Sequence, residues 1–274
     1  MKKTLKITAI AMAVTFAAAA QAGPFIIAGT DADDHGFASA GVNHDGWSFM
    51  QKAIENIGAG VTNGNKTVYS LGSSSTALAA AQSAFNLSSL ASTGWTFASI
   101  DGAAAIGSFL AGGSVGAGII MLDSGGNVTG GLDSAEQTAL TSHASALNGY
   151  VGSGGGLFSQ ANSFGWLSAL VPGLTVSFSQ NSGLALTAAG NAAFPGLTNA
   201  NLSAGPYHAS FSNVGVVPVL ATGAGGQSNL DVILGAYGGS ITVPVPAIPE
   251  PETYAMLLAG LGLVGALARR RKVK

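Results

Sequence analysis

The densest run of chemically capable side chains in this sequence is Asp31-Ala32-Asp33-Asp34-His35, with His44-Asp45 shortly after it. Carboxylates at alternate positions suit a hard divalent cation such as calcium, and a histidine beside them would also suit zinc or manganese. Asp31, Asp33, Asp34 and His35 are therefore the candidate metal ligands. The run lacks the closing glutamate of a twelve-residue calcium loop. Its residues can equally form Asx turns, with His44 or Asp45 capping a helix that follows. Further on, Asp123-Ser124-Gly125-Gly126 closes an apolar run, Ser159 follows a glycine-rich turn, and His208 lies late in the chain. Ser159 as a nucleophile with His208 as its base is a further candidate pair, although Ser159 lacks the flanking glycines of an exposed nucleophile elbow. Asp33, Asp34, His35, Asp123 and His208 make up the expected pocket. The string Gly112-Gly113-Ser114-Val115-Gly116 has the letters of a nucleophile elbow, but it precedes a strand where the elbow follows one, so it is set aside. Absence of cysteine removes disulfides, thiolate metal sites and a cysteine nucleophile together.

Those residues need a scaffold, and apolar periodicity supplies one. Short apolar runs at Pro24 to Gly29, Thr67 to Leu71, Trp95 to Ile100, Gly118 to Leu122 and Gly154 to Phe158 read as strands. Helical spacing falls between them, over Asp45 to Ile57, Thr76 to Phe85, Ala103 to Leu110 and Asp133 to Tyr150. Asp133 with Glu136 three residues on is a capping box for the last of these. His143 falls inside that helix, where a solvated surface position is expected. Beyond Trp166 the pattern turns to shorter strands at Leu174–Phe178, Val216–Leu220 and Val232–Tyr237. Strand–helix alternation over continuous apolar strands predicts an α/β fold, a mostly parallel sheet flanked by helices in a three-layer sandwich, with the later strands extending it or adding an antiparallel edge. Ligands of such folds bind beyond the carboxyl ends of the strands, where the acidic loop and Asp123 would lie. Trp47, Trp95 and Trp166 suit core packing better than sugar stacking.

The two ends read differently from the body. Lys2, Lys3 and Lys6 precede an uncharged run from Ile7 to Ala20, and Ala20-Gln21-Ala22 is a small-x-small cleavage site. Residues 1–22 are thus expected to be a signal peptide cut by signal peptidase between Ala22 and Gly23. At the other end, Pro249-Glu250-Pro251 is followed by an uncharged stretch and then by Arg269, Arg270, Arg271 and Lys272. As a helix at about 1.5 Å per residue, residues 253–268 would reach about 24 Å, short of a hydrocarbon core of about 30 Å but within what snorkelling and thinning accommodate. The basic cluster would stay on the cytoplasmic side. The single α/β body is expected over 23–245 and the tail over 246–274.

This tail resembles the PEP-CTERM sorting signal of Gram-negative bacteria, with all three parts in order at the C-terminus. The resemblance implies transient anchoring in the inner membrane, processing near Pro-Glu-Pro by an exosortase, and delivery to the cell surface, outer membrane or an exopolysaccharide matrix. The order of elements in the body, with Leu132 to Leu140, the glycine turn before Leu157-Phe158, and Gly205-Pro206-Tyr207-His208, is similar to the class I glutamine amidotransferase-like fold, nearest its trehalose-utilisation-type branch. That family places a cysteine where this chain has Phe158-Ser159-Gln160, so the resemblance implies the scaffold without glutaminase activity. It also implies that His208 sits on a late loop.

Charge narrows the partners. Outside the two ends only Lys52 and Lys66 are basic, against ten carboxylates, which leaves the body at −8 while the whole chain is at −2. So acidic a body cannot neutralise phosphates, and nucleic acid is not an expected partner. The expected function is a non-catalytic, surface-delivered domain that binds or organises exopolysaccharide. The alternatives are a metal-assisted hydrolase of carbohydrate or amide and a purely structural surface protein.

Overall fold

The computed structural model describes residues 22–126 and 129–235; the expected leader up to residue 21 and the expected tail lie outside them. Twelve strands and eight α-helices alternate along these residues. In chain order they are β1 (Phe25–Ala28), β2 (Gly36–Ser39), β3 (Val42–His44), α1 (Asp45–Gly58), β4 (Thr67–Leu71), α2 (Ser75–Asn86), β5 (Thr96–Ile100), α3 (Ala103–Ala111), β6 (Ala117–Leu122) and α4 (Ser134–Ser142). There follow α5 (Ala144–Gly152), β7 (Gly156–Ser159), α6 (Leu167–Leu170), β8 (Thr175–Ser182), β9 (Leu184–Leu186), α7 (Ala188–Ala193), α8 (Asn199–Leu202), β10 (Pro206–Ser212), β11 (Val219–Gly223) and β12 (Asp231–Gly235).

The first half is the expected parallel sheet, in the order β5-β4-β6-β7-β1. Every residue of β1, β6 and β7 is buried, which is why these strands read as unbroken apolar runs rather than alternating ones. Helix α1 turns Phe49, Met50, Ala53, Ile54 and Ile57 onto the sheet, and Phe49 meets Phe158 and Phe194 edge-on at 5.7 and 5.4 Å. All five parallel strands end at one edge, where the loops carrying Asp31, Asp101, Asp123 and Gln160 begin.

The second half is antiparallel and larger than the sequence suggested. Strand β12 runs down against β1, with Ile26 opposite Gly235 and Ala28 opposite Ile233. Strands β11 and β9 extend it, while β10 joins β12 through Phe211 and Asp231 and pairs along its length with β8. Gly29 makes this branch possible. A Cβ there would lie 1.9 Å from the Ala209 carbonyl oxygen, and the Gly29 carbonyl accepts from His208 N–H at 2.7 Å.

Four local expectations change. The helix over Asp133 to Tyr150 breaks at His143, whose backbone sits at φ −111°, ψ 23° and whose Nδ1 bonds the Ala139 carbonyl at 2.8 Å. That side-chain bond competes for a carbonyl of the last turn, so His143 is a half-buried cap between α4 and α5 and not a solvated helix residue. The strand expected from Val216 begins at Val219, because Pro218 has no N–H for a ladder and Val216 is 72% exposed in the turn before it. The run before His208 is strand β10 rather than a loop. A hairpin, β2-β3, unmarked by any apolar alternation, follows the acidic loop, with Phe37 stacked on His44 at 4.7 Å. Among the described residues no helix is long and apolar enough to cross a membrane.

Candidate functional site

The acidic loop leaves β1 at the carboxyl edge and turns at once, with Asp34 N–H bonded to the Asp31 carbonyl at 3.0 Å and His35 N–H to that of Ala32 at 3.3 Å. This turn aims the three carboxylates in different directions. Asp33 points into the protein, Asp34 towards the loop after β6, and Asp31 towards β10.

Asp33 is 1% exposed and accepts from the Ser124 hydroxyl at 3.0 Å, while its N–H donates to Gln160 Oε1 at 3.2 Å. The other end of the Gln160 amide donates to Asp123 Oδ1 at 3.1 Å, which also accepts Ser124 N–H at 2.9 Å. Gln160 thus bridges the two loops that follow β1 and β6. The carboxyls of Asp33 and Asp123 are both buried and influence each other's titration. Burial is the first cause that raises both pKa values, and the charge of Asp33 adds to the rise at Asp123, which stands well above the usual carboxylate range. Both causes favour the protonated form of a carboxyl in this pair.

Asp34 accepts from the Thr129 hydroxyl. Partial burial, then the charges of Asp33 and Asp31, push its pKa up to about 6 against the opposing pull of His35 and His208. Asp31 Oδ2 faces two imidazoles, His208 Nε2 at 2.9 Å and His35 Nε2 at 3.4 Å, each ring a little over one third exposed. The His35 ring is held in place by Gly205, where a Cβ would come within 2.2 Å of it. The cleft beside it, between Thr30, Asp31, His35, Phe49, Leu202 and Pro206, measures about 10 Å³. That accommodates one water molecule, not a sugar ring.

The expected pocket residues therefore gather at one edge but divide into two groups. Asp33 and Asp123 lie in a sealed network, whereas Asp31, His35 and His208 form a half-open cluster with Asp34 alongside. Among the described residues, no three histidine, aspartate or glutamate side chains stand in an arrangement able to hold a metal ion. Ser159 is fully buried, donating to the Gln160 carbonyl at 3.2 Å and accepting from Asn162 at 3.0 Å, and no hydrogen bond joins it to His208. Asn162 in turn binds the Trp166 indole N–H at 3.2 Å, so Trp166 is a core residue. Gln160 and Asn162 were missed in the sequence, whereas Ser124 lay in the string expected to line the cleft. The signal of the two is positional: each lies within three residues of the last residue of a buried strand.

Comparison with known proteins bears on the C-terminus alone. Residues 247–272 match the family model of the PEP-CTERM protein-sorting motif. That motif implies an exported protein, transiently membrane-associated and processed by exosortase. No curated protein and no solved structure matches the chain, so the amidotransferase-like resemblance rests on element order without a neighbour to support it.

Proposed function

We propose that this protein is carried through its tail to the cell surface or its polysaccharide matrix, where the body binds and organises exopolysaccharide without turning it over. The observation that carries this reading is the sorting motif at 247–272, which addresses the body to the compartment where such polymers lie. The body's surface chemistry supports it. Strand β8 exposes Ser177, Ser179 and Gln180 as well as Phe178, which is 61% exposed and backed by Phe164 at 6.3 Å. Exposed hydroxyls, an amide and an aromatic ring on one edge strand suit neutral sugars. The acidic loop supports it as well, since its carboxylates are engaged with three separate sets of protein partners.

A hydrolase is the second reading, favoured by one observation: the half-exposed His208 imidazole is oriented by the Asp31 carboxylate at 2.9 Å, as a general base requires. Co-sedimentation of the mature chain with exopolysaccharide, paired with an assay for new reducing ends, separates the two. Retention on the polymer with no new ends is expected. Release of new ends that His208→Ala abolishes would overturn the binding reading in favour of the enzyme.

A further inference from the structure

The described fold is polarised from end to end, in its chain exits and in its charge. Gly23, the first residue after the expected leader, is bound at its N–H by the Val151 carbonyl at 2.7 Å, at the end of the sheet where β1 and β7 start. Gly235 lies at that same end, opposite Ile26, with its N–H on the Pro218 carbonyl at 3.0 Å. Both membrane-directed segments thus leave from one pole. Thirteen residues separate Gly235 from Pro249, a tether of at most about 45 Å.

Acidic residues occupy the opposite pole. Asp31, Asp33, Asp34, Asp45, Asp101, Asp123, Asp133, Glu136 and Asp231 all sit in loops or element ends at the carboxyl edge. The remaining acid of the described residues, Glu55, is paired with Lys52 at 2.9 Å. The exit pole carries the body's other lysine, Lys66, exposed beside Thr93, and two exposed valines, Val115 (78%) and Val216 (72%), on the loops that lead into β6 and β11. Strand β6 has six residues, so the two poles stand about 20 Å apart.

We infer that the exit pole is the membrane-facing surface of the anchored chain and that the body holds its acidic carboxyl edge towards the exterior. Lys66, the described lysine that is not paired with Glu55, lies at the pole from which the tail leaves. Repulsion turns the acids away, and at roughly 20 Å they lie beyond the screening length of about 8 Å in physiological salt. The Asp31–His35–His208 cluster is consequently presented outward while the chain is still anchored. This rests on the reading of the tail as a membrane anchor before processing.

The test uses the full chain in anionic vesicles, with single cysteines placed in a protein that has none of its own. Val115→Cys and Ala104→Cys, both at exposed positions, carry a fluorophore at the exit pole and, in the first turn of α3 after β5, at the carboxyl edge respectively. A quencher on lipid headgroups should quench the Val115 label about twofold or more above the Ala104 label, since only one pole lies within a screening length of the surface. Equal or reversed quenching in chains that float with the vesicles overturns the orientation. Failure to float overturns the anchoring reading beneath it. Lys66→Glu, at an exposed position outside the core, should narrow the difference in anionic vesicles; an unchanged difference would remove the electrostatic part of the inference.

Discussion

Replacing Asp123 by asparagine should abolish a specific pH dependence of stability. In the folded chain Asp33 and Asp123 are buried together, and burial raises both pKa values. In the unfolded chain both ionise near pH 4. Between that pH and the pair's own folded pKa, the native state therefore binds one proton more than the unfolded state. The sign follows: the contribution of the pair is fully present in acid and is lost as pH rises through this window. One proton corresponds to about 1.4 kcal/mol per pH unit. An asparagine at 123 preserves the shape, can accept through its oxygen from Gln160 and Ser124 N–H, and can donate an amide N–H to an ionised Asp33. Asp34, Glu136 and Asp231, whose pKa values are also raised, remain in both proteins and cancel in the comparison. Urea unfolding of the mature chain at half-unit steps from pH 4.5 upward should give a slope about 1.4 kcal/mol per unit shallower in Asp123→Asn. Parallel slopes would refute the raised titration of the buried pair.

Other consequences can be checked one residue at a time. Gly29→Ala should cost more than about 2 kcal/mol, because the new methyl would lie 1.9 Å from the Ala209 carbonyl; urea unfolding measures the loss, and an NMR shift of His208 should report separation from Asp31. Asp133→Ala removes one half of the capping box formed with Glu136 and should lower stability by about 1 kcal/mol in the same assay. The Asp34 carboxyl carbon should titrate by NMR with a midpoint about 6, and its contribution to stability should fall between about pH 4 and 6.

Much of the parallel half was legible in the residues. Strands such as Gly118 to Leu122, buried on both faces, advertise themselves as unbroken apolar runs between helices, and Asp133 with Glu136 announced a helix start that the backbone reproduces. The antiparallel half was harder to read because its strands are short or face solvent on one side. Strand β8, Thr-Val-Ser-Phe-Ser-Gln-Asn-Ser, extends beyond its apolar part because β10 pairs with it by backbone bonds. The acidic loop was recognised as the densest polar cluster, but its division was hidden. Which carboxylate turns inward is decided by Gln160 and Ser124, residues distant in sequence whose roles arise from the alignment of strand ends. His208 lay in the expected set, yet its partner is Asp31 rather than Asp123 or Ser159, because Gly29 lets β10 cross beside Thr30 and Asp31.

The address of the molecule can be tested directly by following an epitope-tagged chain in a bacterium with and without a functional exosortase, by fractionation and mass spectrometry. With the enzyme present, the chain should lack its leader, end near Pro249-Glu250-Pro251 and appear at the surface or in the matrix; without it, the mature chain should keep Arg269 to Lys272 and stay with the membrane. An uncut chain found in the cytosol in both strains would contradict the proposed sorting and, with it, the surface role of the body.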